Sequence, residues 1–176
     1  MKYIDAIKQV QRLLSDNGYL FIGQSTKFKG TGLFWTLEDV PMENRIEMIV
    51  QEDMQMGMSH GMALKGLKVC SIFPRVDFLI CALPQLVLHL DKMKEMSDSQ
   101  YNPKIIIRTA LGSVAPLFPG PQHNNDFTGA LKLMLKNIDV IKLENAGDIL
   151  PAYKKAMESE HSTILIEIPD NYEKEE

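Results

Sequence analysis

Glu52 is the residue of this chain whose position most invites chemistry. It follows a strand-like apolar run over residues 45–50 and opens a segment punctuated by Gly57 and Gly61. By spacing alone, Glu52 and Asp53 are first-turn carboxylates facing the positive end of a helix dipole, an arrangement that stabilises any helix. The glycines are less ordinary, because each costs about 1 kcal/mol relative to alanine inside a helix. Four residues apart they share one face, and such a face admits a close neighbouring backbone. A second stretch, residues 23–32, is rich in Gly, Ser, Thr and Lys, contains Gln24, and lies just beyond a predicted strand. Ligands gather at such carboxyl ends in open α/β sheets. The stretch is not a P-loop, since no Gly-Lys-Ser/Thr follows at the required spacing. A third, the proline-rich loop over residues 110–126, carries Gln122-His123 and is too long for a mere connector.

The elements that must position these groups follow from periodicity. Ile4, Ile7, Val10, Leu13 and Leu14 recur at helical spacing, and Asn17-Gly18 supplies a left-handed stop, so residues 3–17 read as an amphipathic helix. Strands are predicted at 19–22, 45–50, 67–73, 104–109, 139–143 and 163–168. Between them lie the glycine-bearing helix capped by Gly66, a long helix over 77–95 that Pro84 should bend, and helices over 127–136 and 147–159. Phe34 and Trp35 are expected to pack down on a short element. Continuous apolar runs such as Ile105-Ile106-Ile107 and Ile164-Leu165-Ile166 suit a sheet covered on both faces. The expected architecture is a three-layer α/β/α fold with a mainly parallel sheet, one domain over residues 1–170, then a solvated acidic tail over 171–176.

Composition narrows the function classes. The chain has 176 residues, a net charge of −4 and scattered basic residues, so nothing in it forms a nucleic-acid footprint. The longest apolar run, residues 78–90, contains Pro84 and Gln85 and is too short to span a bilayer; the N-terminus has no signal-peptide pattern, and a cytoplasmic location is expected. Cys70 and Cys81 lie in apolar surroundings without CxxC spacing, which favours buried free thiols over a disulfide or zinc site.

The segment Glu52-x4-Gly57-x3-Gly61-Met-Ala-Leu-Lys-Gly66-Leu67 resembles the Glu-x4-Gly-x3-Gly-x-Ala-x-x-Gly-Leu segment of the pyrimidine-binding domain of thiamine-diphosphate enzymes. Among these, the β subunits of 2-oxo acid dehydrogenases are the most similar. The resemblance continues through Phe73 and Phe78, then Ala82 and Gln85, and resumes at Arg108, Gly112 and Gln122-His123. It is diffuse before Arg45. It implies that Glu52 shares a proton with the pyrimidine N1′ and so favours the imino tautomer that activates the cofactor, a role suited to a closed apolar surrounding. Phe78 would stack on the pyrimidine, with Phe73 behind it, and Gln24 would join the cofactor site. His123 would bind and proton-balance the substrate. Arg108 would orient the loop or a substrate carboxylate, or form a structural salt bridge.

The chain also departs from that family. Ile49 stands where the family has the proline three residues before the glutamate, Pro84 where the family has Asp, and Asn124-Asn125 where Ser-Gln follows the histidine. No Gly-Asp-Gly diphosphate motif or metal-binding set is present, so the resemblance implies that Mg²⁺ and the diphosphate come with a separate α-type diphosphate-binding subunit. It implies an oxidoreductase of the 2-oxo acid dehydrogenase kind or a transketolase-like transferase, inactive alone and acting on a 2-oxo acid or ketose-like donor. The alternative is a non-catalytic, truncated assembly or regulatory subunit. Gly57, Gly61 and the methionines Met54, Met56, Met58 and Met62 fit self-association through this helix, or a core role for the methionines.

Overall fold

The computed structural model describes residues 1–114 and 118–175. Six strands, β1 (Tyr19–Gly23), β2 (Arg45–Glu47), β3 (Lys68–Ile72), β4 (Ile105–Ala110), β5 (Ile138–Lys142) and β6 (Ser162–Glu167), form one sheet in the order β2-β1-β3-β4-β6-β5. Every neighbouring pair is parallel. The α-helices are α1 (Tyr3–Asp16), α2 (Gly32–Trp35), α3 (Glu52–Leu64), α4 (Val76–Leu79), α5 (Met93–Met96), α6 (Thr128–Met134) and α7 (Ala146–Glu158). The expected three-layer α/β/α architecture is the one observed.

Alternation along the strands divides the core in two. Phe21, Cys70, Ile106 and Leu165 face the layer of α1 and α7, where Ile7, Val10, Leu14, Ile149 and Tyr153 are fully buried. Ile22, Val69, Ile105, Ile107, Ile164 and Ile166 face the other layer, with Met56 of α3, Leu79, Leu86 and Leu131. A residue that steps by one along a strand changes layer, so both faces of the central strands must be apolar. Gly18 and Gly66 take the left-handed conformation (φ 78° and 81°) that ends α1 and α3, as their positions predict.

Several expectations are corrected. The strand expected over 45–50 ends at Glu47, and Ile49 and Val50 are 67% and 74% exposed, because β2 is an edge strand with only β1 beside it. The long helix over 77–95 is broken. After α4 comes a short 3₁₀ turn, a π-helical stretch Pro84–His89, another 3₁₀ turn and then α5. Pro84 lacks the N–H that would continue an α-helix, and the chain shifts to the wider spacing. Trp35 is 49% exposed rather than packed down, with the Lys29 ammonium 4.9 Å from its ring. Cys70 is buried and its thiol is pushed up to about 12 by that burial, but Cys81 is exposed. Part of the 110–126 loop, residues 115–117, lies outside the described residues, as does Glu176 of the acidic tail. The rest of the tail is tied down: Tyr172 stacks on Tyr3, Tyr3 N donates to Lys174 O, and Lys2 pairs with Glu173 at 3.0 Å.

One polar feature crosses the α1/α7 core. Arg108 of β4 and Glu167 of β6 are both fully buried and form an ion pair through Arg108 Nε and Oε1 and through Nη2 and Oε2 at 3.0 Å. Arg108 Nη2 also donates to Thr36 Oγ1 at 2.6 Å, and Tyr172 OH donates to Glu167 Oε2 at 2.8 Å. Removing one partner strands the other charge in the core. Arg108→Met should therefore lower stability by about 3–5 kcal/mol in urea unfolding, while Arg108→Met combined with Glu167→Leu should recover most of that loss.

Candidate functional site

The carboxyl edge of the parallel sheet gathers the loops that follow each strand, and most of the predicted residues lie there. Glu52 begins α3, which is lashed to β3 from below. Gln55 Nε2 donates to Ile72 O at 2.9 Å and to Ser71 Oγ at 3.2 Å, and Ser59 Oγ donates to Ser71 Oγ at 2.9 Å. These buried bonds fix the helix against the sheet and leave its first turn at the edge. Glu52 is half-buried rather than enclosed. Gln24, the first residue beyond β1, donates from Nε2 to Glu52 Oε1 at 2.9 Å, while Glu52 Oε2 has no hydrogen-bond partner among the described residues. One oxygen is thus held and the other is available.

Gln24 is held in place by a residue that no motif marks. Glu47, at the end of β2, accepts from the backbone N–H groups of Ser25 (2.7 Å), Thr26 (2.7 Å) and Lys27 (2.6 Å) and from Thr26 Oγ1 (3.0 Å). Burial pushes the Glu47 carboxyl up, but the N–H groups of Lys27, Ser25 and Thr26 and the Thr26 hydroxyl outweigh it, and the group sits below its ordinary range. Arg45 secures the far side of the same loop through the carbonyls of Val40 (2.9 Å from Nε) and Thr26 (3.2 Å from Nη1). Close strand contact adds a constraint at Gly23, where a Cβ would lie 2.2 Å from Ile72 O. In the sequence Glu47 is only an acidic residue within the run read as a strand over 45–50, a pattern that any exposed edge strand also shows.

Phe78 and His123 are brought together, their rings edge to face at a centroid distance of 5.4 Å. Arg75 Nη1 donates to His123 O at 2.8 Å, and Asn125 is held by Asp77 through Nδ2 at 2.6 Å. Gly112 allows this approach: a Cβ there would lie 1.9 Å from His123 O. Phe73 is fully buried in the core, behind the edge. The structure does not bring Arg108 to this edge; it is 0% exposed and engaged with Glu167 and Thr36, the salt-bridge alternative of the two its sequence position allowed.

The two helix glycines differ in their surroundings. Gly57 faces the side chain of Gln85 at 3.7 Å, an ordinary contact, and Gly61 faces open space. Gln85 in turn donates to Asp53 Oδ2 at 3.3 Å and meets His89 Nδ1 at 2.9 Å. His60 is buried at 6% exposure, where burial and the nearby His89 lower its pKa. Among the described residues no group of three or more His, Cys, Asp or Glu could hold a metal ion, and no helix is long and apolar enough to cross a membrane. A carboxylate with one oxygen unpartnered and an aromatic–histidine pair are groups that could meet the pyrimidine half of a thiamine cofactor, while the described residues offer no cluster that could hold its metal.

The depressed Glu47 carboxyl sets a pH dependence. Its contribution is complete above the ordinary range near 4.5 and is lost as pH falls through its lowered value in the folded chain. Glu47→Gln should accordingly be less stable than the wild type at neutral pH, with faster amide exchange at Ser25, Thr26 and Lys27. The two proteins should converge as pH drops below 4.5, in unfolding and exchange measurements over a pH series.

No protein-family model and no curated protein matches the chain. Solved structures do. A split-gene transketolase, described as an inactive β4 tetramer, aligns with a TM-score of 0.67 at 16% identity, over 100% of this chain and 53% of that one. The transketolase of Campylobacter jejuni aligns at 0.66 and 12% identity, over 94% of this chain and 25% of its own. A thiamine-diphosphate-dependent 4-hydroxybenzoylformate decarboxylase of Rhodococcus jostii aligns at 0.68 and 12%, over 99% of this chain and 31% of its own. This chain thus spans about half or less of each neighbour. The six-stranded parallel sheet and its two helical layers are the fold of the transketolase-like pyrimidine domain of thiamine-diphosphate-dependent enzymes.

Proposed function

We propose that this chain is the pyrimidine-binding, β-type subunit of a two-component thiamine-diphosphate-dependent enzyme. It would work in the cytoplasm on a 2-oxo acid or ketose-like donor, as a 2-oxo acid dehydrogenase or a transketolase-like transferase. The observation that carries this reading is the Glu52–Gln24 pair at the carboxyl edge, with one carboxylate oxygen fixed at 2.9 Å and the other without a partner. The fold supports it, and so does a neighbour whose gene is split and whose β4 tetramer is inactive.

Bound thiamine diphosphate supplies the carbon nucleophile that attacks a carbonyl. The chain's own residues have narrower tasks. Glu52 holds or shares the proton at the pyrimidine N1′, and Gln24 fixes the orientation of the carboxylate that does so. Phe78 offers a ring to the pyrimidine face. His123, set against Phe78 and anchored by its backbone carbonyl on Arg75, balances charge on the substrate. The diphosphate and its Mg²⁺ fall to an α-type diphosphate-binding subunit. Gly61 together with Met54 and Met58, 42% and 43% exposed, offers a surface for self-association along α3, while Gly57 is met by Gln85 of the same chain.

A non-catalytic assembly or regulatory subunit is the second reading, favoured by the π-helical break at Pro84 where the family has an aspartate. One substitution separates the two. In the complex co-purified from the source cell, Glu52→Gln should leave assembly intact and cut turnover by about 10²–10⁴-fold. Full turnover in that variant would remove Glu52 from catalysis and favour the assembly role.

A further inference from the structure

At the carboxyl edge of the sheet, loops following four strands line an open cleft of about 400 Å³, within the range of small-molecule sites. Residues 30–33 follow β1, residues 74–75 follow β3, Leu111 and Ser113 follow β4, and Tyr172 lies beyond β6. Two polar groups on residues of this wall have hydrogen-bonding capacity to spare.

The first is the Arg75 guanidinium. The chain has four arginines. Exposed Arg12 lies 4.0 Å from Asp16, Arg45 is surrounded by backbone carbonyls, and Arg108 is paired with Glu167. Arg75 is half-buried, spends Nη1 on His123 O, and has no carboxylate within ion-pair distance among the described residues. A guanidinium stays charged at any relevant pH, and its planar fork matches carboxylate or phosphate oxygens. The second group is Thr31 Oγ1, which is buried without a hydrogen-bond partner although it can donate one.

The nearby carboxylate and the phenol of the lining are engaged with other partners. Asp170, beside the cavity, accepts from Ser113 Oγ and from Val114 N at 3.2 Å. Tyr172 has turned its hydroxyl to Glu167 and presents ring surface. Leu33 and Leu111 are apolar. A pocket with one unneutralised cation, one free hydroxyl donor and apolar walls suits a small molecule with a single anionic end.

We propose that this cavity is an anion-binding pocket in which Arg75 and Thr31 hold the carboxylate or phosphate end of a small organic molecule. The proposal stands on the chain alone, whether or not Glu52 meets a thiamine cofactor.

The test uses the isolated full chain titrated with pyruvate, inorganic phosphate and neutral glyceraldehyde, read by backbone and Arg side-chain NMR. Saturable shifts at residues 31, 75 and 111 are expected with at least one anion and not with glyceraldehyde. Pyruvate and phosphate distinguish a carboxylate from a phosphate end. Arg75→Gln should weaken binding by at least about tenfold, and Thr31→Val by a smaller factor, with both spectra remaining those of the folded chain. No saturable binding of either anion, or equal binding by wild type and both variants, would overturn the proposal. Should Arg75→Gln not fold, Thr31→Val together with the location of the wild-type shifts decides the matter: unchanged affinity with shifts elsewhere refutes it.

Discussion

The ion pair between Arg108 and Glu167 is the interaction around which the carboxyl half of this molecule is arranged. It joins β4 to β6 in the middle of the sheet, entirely out of water. Two charges in such a place are tolerable only when each is paired and further hydrogen-bonded. Thr36 supplies a bond to the arginine from the loop after α2, and Tyr172 supplies one to the glutamate from the segment after β6. Tyr172 then stacks on Tyr3, so the same pair draws the last residues onto the first helix. Four separate parts of the chain meet at one buried charge pair, in which Arg108 Nη1 is left without a hydrogen-bond partner.

A second carboxylate plays a comparable role on a smaller scale. Glu47 gathers three consecutive backbone N–H groups and so ties the loop they belong to against the end of β2. That loop carries Gln24 to Glu52. The Glu52–Gln24 pair thus depends on an acidic residue that is hydrogen-bonded to neither of its members. On the other side, Gly112 and Arg75 do the same for His123 by controlling the backbone rather than the ring.

Much of this was legible in the sequence, for identifiable reasons. The strand runs of β4 and β6 are apolar on both faces, and only a doubly covered parallel sheet uses such runs. Gly18 and Gly66 marked helix ends because their left-handed conformation is a local property. Glu52 stood out because its neighbours, Gly57 and Gly61, contradict helix propensity. What stayed hidden depended on contacts far apart in the chain. Nothing near Arg108 announces Glu167, 59 residues on, and nothing near Glu47 announces a loop twenty residues earlier. The apolar residues Ile49 and Val50 misled because hydrophobicity predicts a strand while the sheet edge leaves them in solvent. Pro84 predicts a bend, but nothing local to it specifies that a π-helical stretch would absorb it.

The central claim is that the Glu52 corner is half of a cofactor site completed by another polypeptide. It is tested most directly by measuring thiamine diphosphate in the native complex and in the isolated chain, by extraction and fluorescence of the oxidised cofactor. The account predicts about one cofactor for each copy of this chain in the complex and none retained by the chain alone. A complex that assembles without the cofactor, or an isolated chain that retains it stoichiometrically, would contradict the account.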